Sequence, residues 1–371
     1  MKRVLVVLVC VTSACTSTTE QVTYDYAGDS LRFAGEVHLR NVRQLTFGGN
    51  NAEAYWSFDD EQLIFQSDWE RINPQGCDQQ FLMDPDVPQT YKLISTGRGR
   101  TTCGYFLQDG RIVYASTHAA DLACPTLPES QNRYVWPIYD TFDIYVANAD
   151  GTNPEILIGG EGYDAEATAS PDGRFLVFTS TRSGDLELWR HEIATGELLQ
   201  LTNTPGYDGG AFFSRDSQRI VWRASRPQED ELAVYQELLA EGLVEPGALN
   251  IFVSDIDGTN VQQVTDLSGA NWAPSFHPGG EHIIFASNFE SVGQGRPVFA
   301  IYMVTIATGA IKKITHSETF DAFPMFSFDG TKLAFSSNRN AARTSSRDTN
   351  VFVADWVEVP EDVDLAFEEV Q

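Results

Sequence analysis

The chain has 371 residues and carries 52 acidic against 25 basic side chains, a formal net charge of −27. A field of that sign repels phosphate, which excludes nucleic-acid binding and attachment to an anionic membrane surface through basic patches. Charged residues make up only 21% and aromatics 12%, so this is a folding sequence rather than a disordered acidic one. It is long enough to bury a large core without staples.

Taken in order, the chain starts with Lys2-Arg3, an apolar run from Val4 to Val11, and Thr12-Ser13-Ala14-Cys15. A basic start, a short apolar stretch and small residues describe a secretory leader over 1–14, too short to span a bilayer. Cys15 directly after small residues resembles the bacterial lipoprotein cleavage pattern. That resemblance implies a lipid on Cys15 and, with Thr16 following, the outer membrane, facing the periplasm. Residues 15–37 then read as the anchor cysteine and a polar tether.

From there one unit recurs six times. Its turns are Ser57-Phe58-Asp59-Asp60, Leu107-Gln108-Asp109-Gly110, Ser170-Pro171-Asp172-Gly173, Ser214-Arg215-Asp216-Ser217, His277-Pro278-Gly279-Gly280 and Ser327-Phe328-Asp329-Gly330. Pro presets a turn dihedral, Asp bonds its own backbone, and Gly accepts positive φ. Each turn leads into an apolar strand ending in Ser or Ala: 62–67, 111–116, 174–180, 219–224, 282–287 and 332–337. A third strand follows (79–83, 143–148, 186–191, 250–255, 300–305, 350–355), and turns such as Asp150-Gly151-Thr152-Asn153 lead to a fourth. Six units of four strands predict an all-β fold, a six-bladed propeller over 38–356. The last unit lacks a fourth strand. His38–Thr46 ends in Gln44-Leu45-Thr46, like Gln200-Leu201-Thr202, and is expected to supply it and close the ring.

The units are 44 to 63 residues apart, so they carry insertions. Asp68–Gly76, Ala119–Thr141, Pro227–Ala248 and Phe289–Val298 all fall between second and third strands, on one face. Glu229–Gly242 reads as a short amphipathic helix, either a packed cap or a lid. The tail 357–371 holds six acids and no base.

The repeated Ser-Pro-Asp-Gly-type turn, Phe-x-Ser strand end and terminal Leu-Thr resemble the TolB-type β-propeller repeat, also found in propellers of the prolyl oligopeptidase class. The resemblance implies contact with other envelope proteins. TolB itself carries an additional N-terminal α/β domain that this sequence has no room for. No Gly-x-Ser-x-Gly follows the repeats, so a complete peptidase of that class is not expected.

The insertion-bearing face holds the candidate site. Asn51, Thr101, Asp164, Asp208, Asn271 and Asp321 occupy one repeat position, and Glu53, Cys103, Glu166, Gly210, Ala273 and Phe323 stand two residues on. Arg100, Tyr163, Tyr207 and Trp272 neighbour them. His118, Arg182, Arg226 and Arg339 stand at second-strand ends on the same face. This predicts an acid-rich channel mouth that binds a protein, peptide or small ligand, in a monomer. Converging carboxylates are ligands for Ca²⁺ or Mg²⁺, but each Asp also has the option of capping its own loop or pairing with an Arg. The alternative reading is a hydrolase or lyase, with Glu53, Glu166, His118 and Cys103 as candidate catalytic groups. With Cys10 and Cys15 at the leader, Cys77, Cys103 and Cys124 remain. Three pairings are open. The place of Cys103 at the mouth makes it the candidate free thiol, with Cys77 bridged to Cys124.

Overall fold

The blades are built on the chemistry of their turns. In four of them a serine hydroxyl donates to the Asp two residues on: Ser57 to Asp59 (2.6 Å), Ser170 to Asp172 (2.6 Å), Ser214 to Asp216 (2.5 Å) and Ser327 to Asp329 (2.7 Å). The same oxygen accepts the backbone N–H five residues later, of Gln62, Phe175, Arg219 and Lys332, each at 2.9 Å. This pair of bonds satisfies the turn backbone locally and launches the next strand antiparallel to the last.

The structure, a computed structural model, describes residues 29–73, 75–87, 89–128 and 133–359. It is the six-bladed propeller that the repeats predict. Blades 1 to 5 each pair four strands in chain order, beginning at Asn51–Trp56, Thr101–Phe106, Asp164–Ala169, Asp208–Phe213 and Asn271–Phe276. Blade 6 takes three strands from Asp321–Phe326, Lys332–Ser337 and Asn350–Trp356, and its fourth from Leu39–Gln44. Leu39 stands opposite Trp356 and Gln44 opposite Phe352, so the two ends of the propeller close one sheet.

The core lies between blades. Two residues before the end of each second strand stands a large ring: Phe65, Tyr114, Phe178, Trp222, Phe285 and Phe335, all at most 1% exposed. Burial of each such ring stabilises by roughly 1.5–3 kcal/mol. The serine that ends the strand has its own task. Ser67, Ser287 and Ser337 donate to Asn51, Asn271 and Asp321 at the start of the first strand (2.8, 2.6 and 2.5 Å).

Packing begins earlier than His38. Leu31 is buried in the blade 6 core, and Glu36 is 1% exposed. The segment expected to run as tether to residue 37 is therefore part of the propeller from Leu31. The leader, Cys15, the remaining tether and residues 360–371 lie outside the described residues.

The insertions share one face. Trp136–Pro137 from blade 2 pairs antiparallel with Leu243–Val244 from blade 4. The helix Glu229–Ala240 precedes that second strand. It is a docked cap: Tyr235 is buried and donates to Asp185 Oδ1 (2.5 Å), and Leu232 and Leu239 pack on the core beneath. A four-residue helical turn, Ala341–Thr344, was not foreseen. Cys77 and Cys124 form a disulfide that ties the blade 2 insertion to blade 1, and Cys103 is free. Among the described residues no helix is long and apolar enough to cross a membrane.

Candidate functional site

Every first strand carries a bulge at the same place. Pairing register shifts between Ala52 and Tyr55, Thr102 and Tyr105, Ala165 and Thr168, Gly209 and Phe212, Trp272 and Ser275, and Ala322 and Met325. At each bulge one residue has a left-handed backbone: Glu53, Cys103, Glu166, Gly210, Ala273 and Phe323, with φ from 46° to 60°. A bulge breaks strand alternation and re-aims a side chain. These six residues form a ring around the propeller axis, all lining one small void there.

Below the ring the channel is blocked. Tyr55, Tyr105 and Phe212, from blades 1, 2 and 4, meet across the axis with centroids 5.3–6.2 Å apart. Arg215 of blade 4 then donates to the Ser327 carbonyl of blade 6 (2.5 Å), and its guanidinium lies over Phe328. Above the ring opens a blind funnel of about 760 Å³. Its walls are mainly apolar and carry a set of aromatic rings, among them Tyr134, Trp136, Tyr163, Tyr207, Trp272 and Phe299. Trp136, delivered by the insertions, lies 5.2 Å from Trp272, which stacks on Phe299 at 4.4 Å.

The floor is polar. Glu166 is ion-paired with Arg223, and it accepts from Tyr207 OH (2.9 Å), Thr179 Oγ1 (2.7 Å) and the Gly210 N–H (3.0 Å). Arg223 also donates to Tyr207 OH (2.8 Å) and lies against the rings of Trp136 and Tyr207. Gly210 makes this arrangement: a Cβ there would stand 1.9 Å from Arg223 Nη1. Glu53 lines the funnel, and its Oε2 is buried with no hydrogen-bond partner. Burial pushes its carboxyl up to about 7; the Cys103 thiol and Arg223 pull it down, and Glu166 pushes it further up. Burial also drives the Cys103 thiol well above its ordinary range, helped by Glu53 and Glu166, so it is a protonated thiol and a poor nucleophile. Arg100 pairs with Asp78 on the wall (2.7 Å).

The structure thus brings Glu53, Arg100, Cys103, Tyr163, Glu166, Tyr207 and Trp272 to the funnel. It takes the other candidates elsewhere. Asp164 pairs with Arg182 (2.7 Å) and Asp208 with Arg226 (2.7 Å), inside their own blades. Burial pushes Asp208 up to about 6 against the pull of Arg226 and Trp222. Arg339 is wholly buried between Asp321 (3.2 Å) and Glu36 (3.0 Å). Asn51 and Asn271 donate to the carbonyls of Gly48 and Leu249. His118 lies tilted against Tyr145 at 4.3 Å and bonds Ser116 Oγ (2.8 Å). Among the described residues no three His, Cys, Asp or Glu groups are placed to hold a metal ion.

Arg223 was missed by sequence reasoning. It sits next to last in its second strand, in a column otherwise holding Gln66, Ala115, Thr179, Ala286 and Ser336. A lone Arg among small and amide residues, paired with the glycine run at 209–210, was the available signal.

A family model of the TolB β-propeller domain matches residues 239–344. Over that span the propeller carries repeats of the TolB type. The Tol-Pal system protein TolB of Francisella tularensis subsp. holarctica is 25% identical over 233 residues, 55% of this chain and 52% of that protein. An uncharacterized protein of Agrobacterium fabrum is 29% identical over 153 residues, 40% of this chain and 48% of that one. The chain spans about half the length of the curated relatives it matches. Among solved structures, a putative TolB from Agrobacterium tumefaciens superposes with a TM-score of 0.55 at 14% identity, over 86% of this chain and 97% of that chain. TolB from Acinetobacter baumannii gives 0.50 at 17% identity, over 83% and 64%. At those identities the TolB structures attest the fold, not the contents of the funnel.

Proposed function

We propose that this propeller is a recognition module of the bacterial cell envelope, a scaffold that receives a partner protein or ligand end-on in its funnel. The observation that carries this is the funnel itself: a blind, aromatic cavity of about 760 Å³ with an ion-paired floor, held by six rigid blades. Concave, mostly apolar sites with a few convergent polar groups are where binding energy is gathered. The likeness to Tol-Pal system TolB proteins supports an envelope setting and a protein partner. The leader and Cys15 support a lipid anchor facing the periplasm, and the net charge of −27 supports a partner other than nucleic acid. A Cys15→Ser variant that still incorporates labelled palmitate would end the anchor assignment.

The test is a photo-crosslinking amino acid at Tyr134, 65% exposed on the funnel rim, against one at Ile156, 54% exposed on an outer strand. In living cells an adduct should form from position 134 and not from 156, and should fall with Arg223→Ala. No adduct at 134, or equal adducts at both, would sink the proposal.

A second reading is a hydrolase or lyase. It rests on Glu53, held near neutrality by burial beside an ion-paired Glu166, as two carboxyls with divided environments. Turnover of glycan or peptide panels that vanishes in Glu53→Gln would favour it.

A further inference from the structure

Arg296 adds a cation at the exposed rim of the funnel, but deeper in the cavity the charges do not balance. Asp78 has Arg100 and Glu166 has Arg223. Glu53 lines the same cavity, and among the described residues its Oε2 has no hydrogen-bond partner. The anion at Glu53 has therefore lost water without gaining a cation of its own, which is why its proton is held to about 7. A carboxylate in that condition is stabilised by an incoming positive charge.

The walls match the same kind of guest. The Arg223 guanidinium already lies 5.2 Å from the Trp136 ring and 5.5 Å from the Tyr207 ring, so these rings offer a guest apolar wall for its stem rather than a second seat for its charge. An apolar stem gains by leaving water among these rings. The whole-chain charge of −27 draws cations in and turns anions away. A divalent metal would want six or more oxygens, and no such cluster stands among the described residues. An ammonium group asks for fewer acceptors.

We propose that the funnel seats a primary ammonium group on an alkyl stem, its charge on Glu53 and its stem against Trp136 and Tyr207. The source is either a lysine side chain of a partner protein or a free diamine. The assignment rests on the funnel being the recognition site.

Calorimetry on the purified chain tests it. The probes are cadaverine, the blocked tripeptide acetyl-Gly-Lys-Gly-amide, their neutral counterparts pentanediol and the norleucine tripeptide, and glutarate. At least one amine should bind about tenfold or more tighter than its neutral counterpart, and glutarate should not bind. A tighter tripeptide names the lysine source; a tighter cadaverine names the free amine. Glu53→Gln should remove about tenfold of the amine affinity, and Trp136→Ala several-fold. Glu61→Gln, on an exposed turn of blade 1, should change nothing. Amine binding should weaken from pH 8 to pH 5.5 as Glu53 takes up its proton, within a field set by Glu166, Arg223, Cys103, Asp78 and Tyr55. Neutral or anionic probes that bind as well as the amines would overturn the assignment, as would amine binding unaffected by Glu53→Gln. If the Tyr134 adduct forms but neither cadaverine nor Glu53→Gln diminishes it, the funnel stands as a site and the ammonium falls. If no adduct forms and no probe binds, both fall.

Discussion

Replacing Glu53 by Gln keeps the shape of the funnel floor and removes one titrating group. The carboxyl moves from its ordinary 4.5 to about 7 on folding. The folded chain thus holds this proton more tightly than the unfolded chain. Below pH 4.5 both states are protonated and the group contributes nothing. From pH 4.5 to about 7 the unfolded chain releases the proton first, so wild-type stability falls as pH rises. Above 7 the full cost is present, at most about 3 kcal/mol for a shift of this size. Gln carries no such cost. With roughly 2.1 cal/mol/K of unfolding entropy per residue over roughly 320 residues, the variant should melt about 4 °C higher at pH 8. At pH 4 the two curves should meet. Scanning calorimetry of both proteins in low salt, at pH 4, 6 and 8, reads the difference. A gap that stays constant across pH, or a wild type that is the more stable at pH 8, would refute the assignment of a costly buried anion at Glu53.

Three other perturbations reach other parts of the molecule. Arg339→Ala leaves Glu36 and Asp321 buried without their cation and should cost about 3–5 kcal/mol in urea unfolding; a loss under 1 kcal/mol would show that the pair is not buried as described. Deleting residues 30–46 removes the outer strand of blade 6 and should lower the melting temperature by more than about 10 °C, exposing the edge Asn350–Trp356 to self-association. An unchanged melting temperature would sink that role. Gly210→Ala sets a methyl group against the Arg223 guanidinium and should displace it from Glu166, abolishing the adduct from position 134 while melting changes by a few degrees. Retention of a full-strength adduct would mean that the floor pair is dispensable for recognition.

The propeller could be read from sequence because each turn is stabilised within five residues: Ser170, Asp172 and Phe175 satisfy one another and need nothing distant. The closing strand was legible for a related reason, since Gln44-Leu45-Thr46 repeats a local pattern. The site was half legible. The column holding Glu53, Cys103 and Glu166 reaches the axis. The column two residues earlier, holding Asp164, Asp208 and Asp321, turns into the blades. A bulge decides which column faces inward, and no composition rule marks a bulge among non-glycine residues. Arg223 was hidden because its alternation is that of an ordinary strand. The rim of the funnel depends on Trp136 meeting Val244, and the burial of Arg339 on its meeting Glu36, contacts between residues more than 100 positions apart that no local pattern announces.

The six bulges separate two jobs that most folds entangle. Second-strand rings and turn serines hold the blades, while the left-handed residues face one another around the axis. Each blade therefore writes one letter of a six-letter word, here Glu, Cys, Glu, Gly, Ala, Phe. The backbone strain of roughly 1–2 kcal/mol at each non-glycine letter is much the same whatever the letter says. The propeller frame, held by its turns and second-strand rings, therefore says little about the guest that the ring of left-handed residues admits.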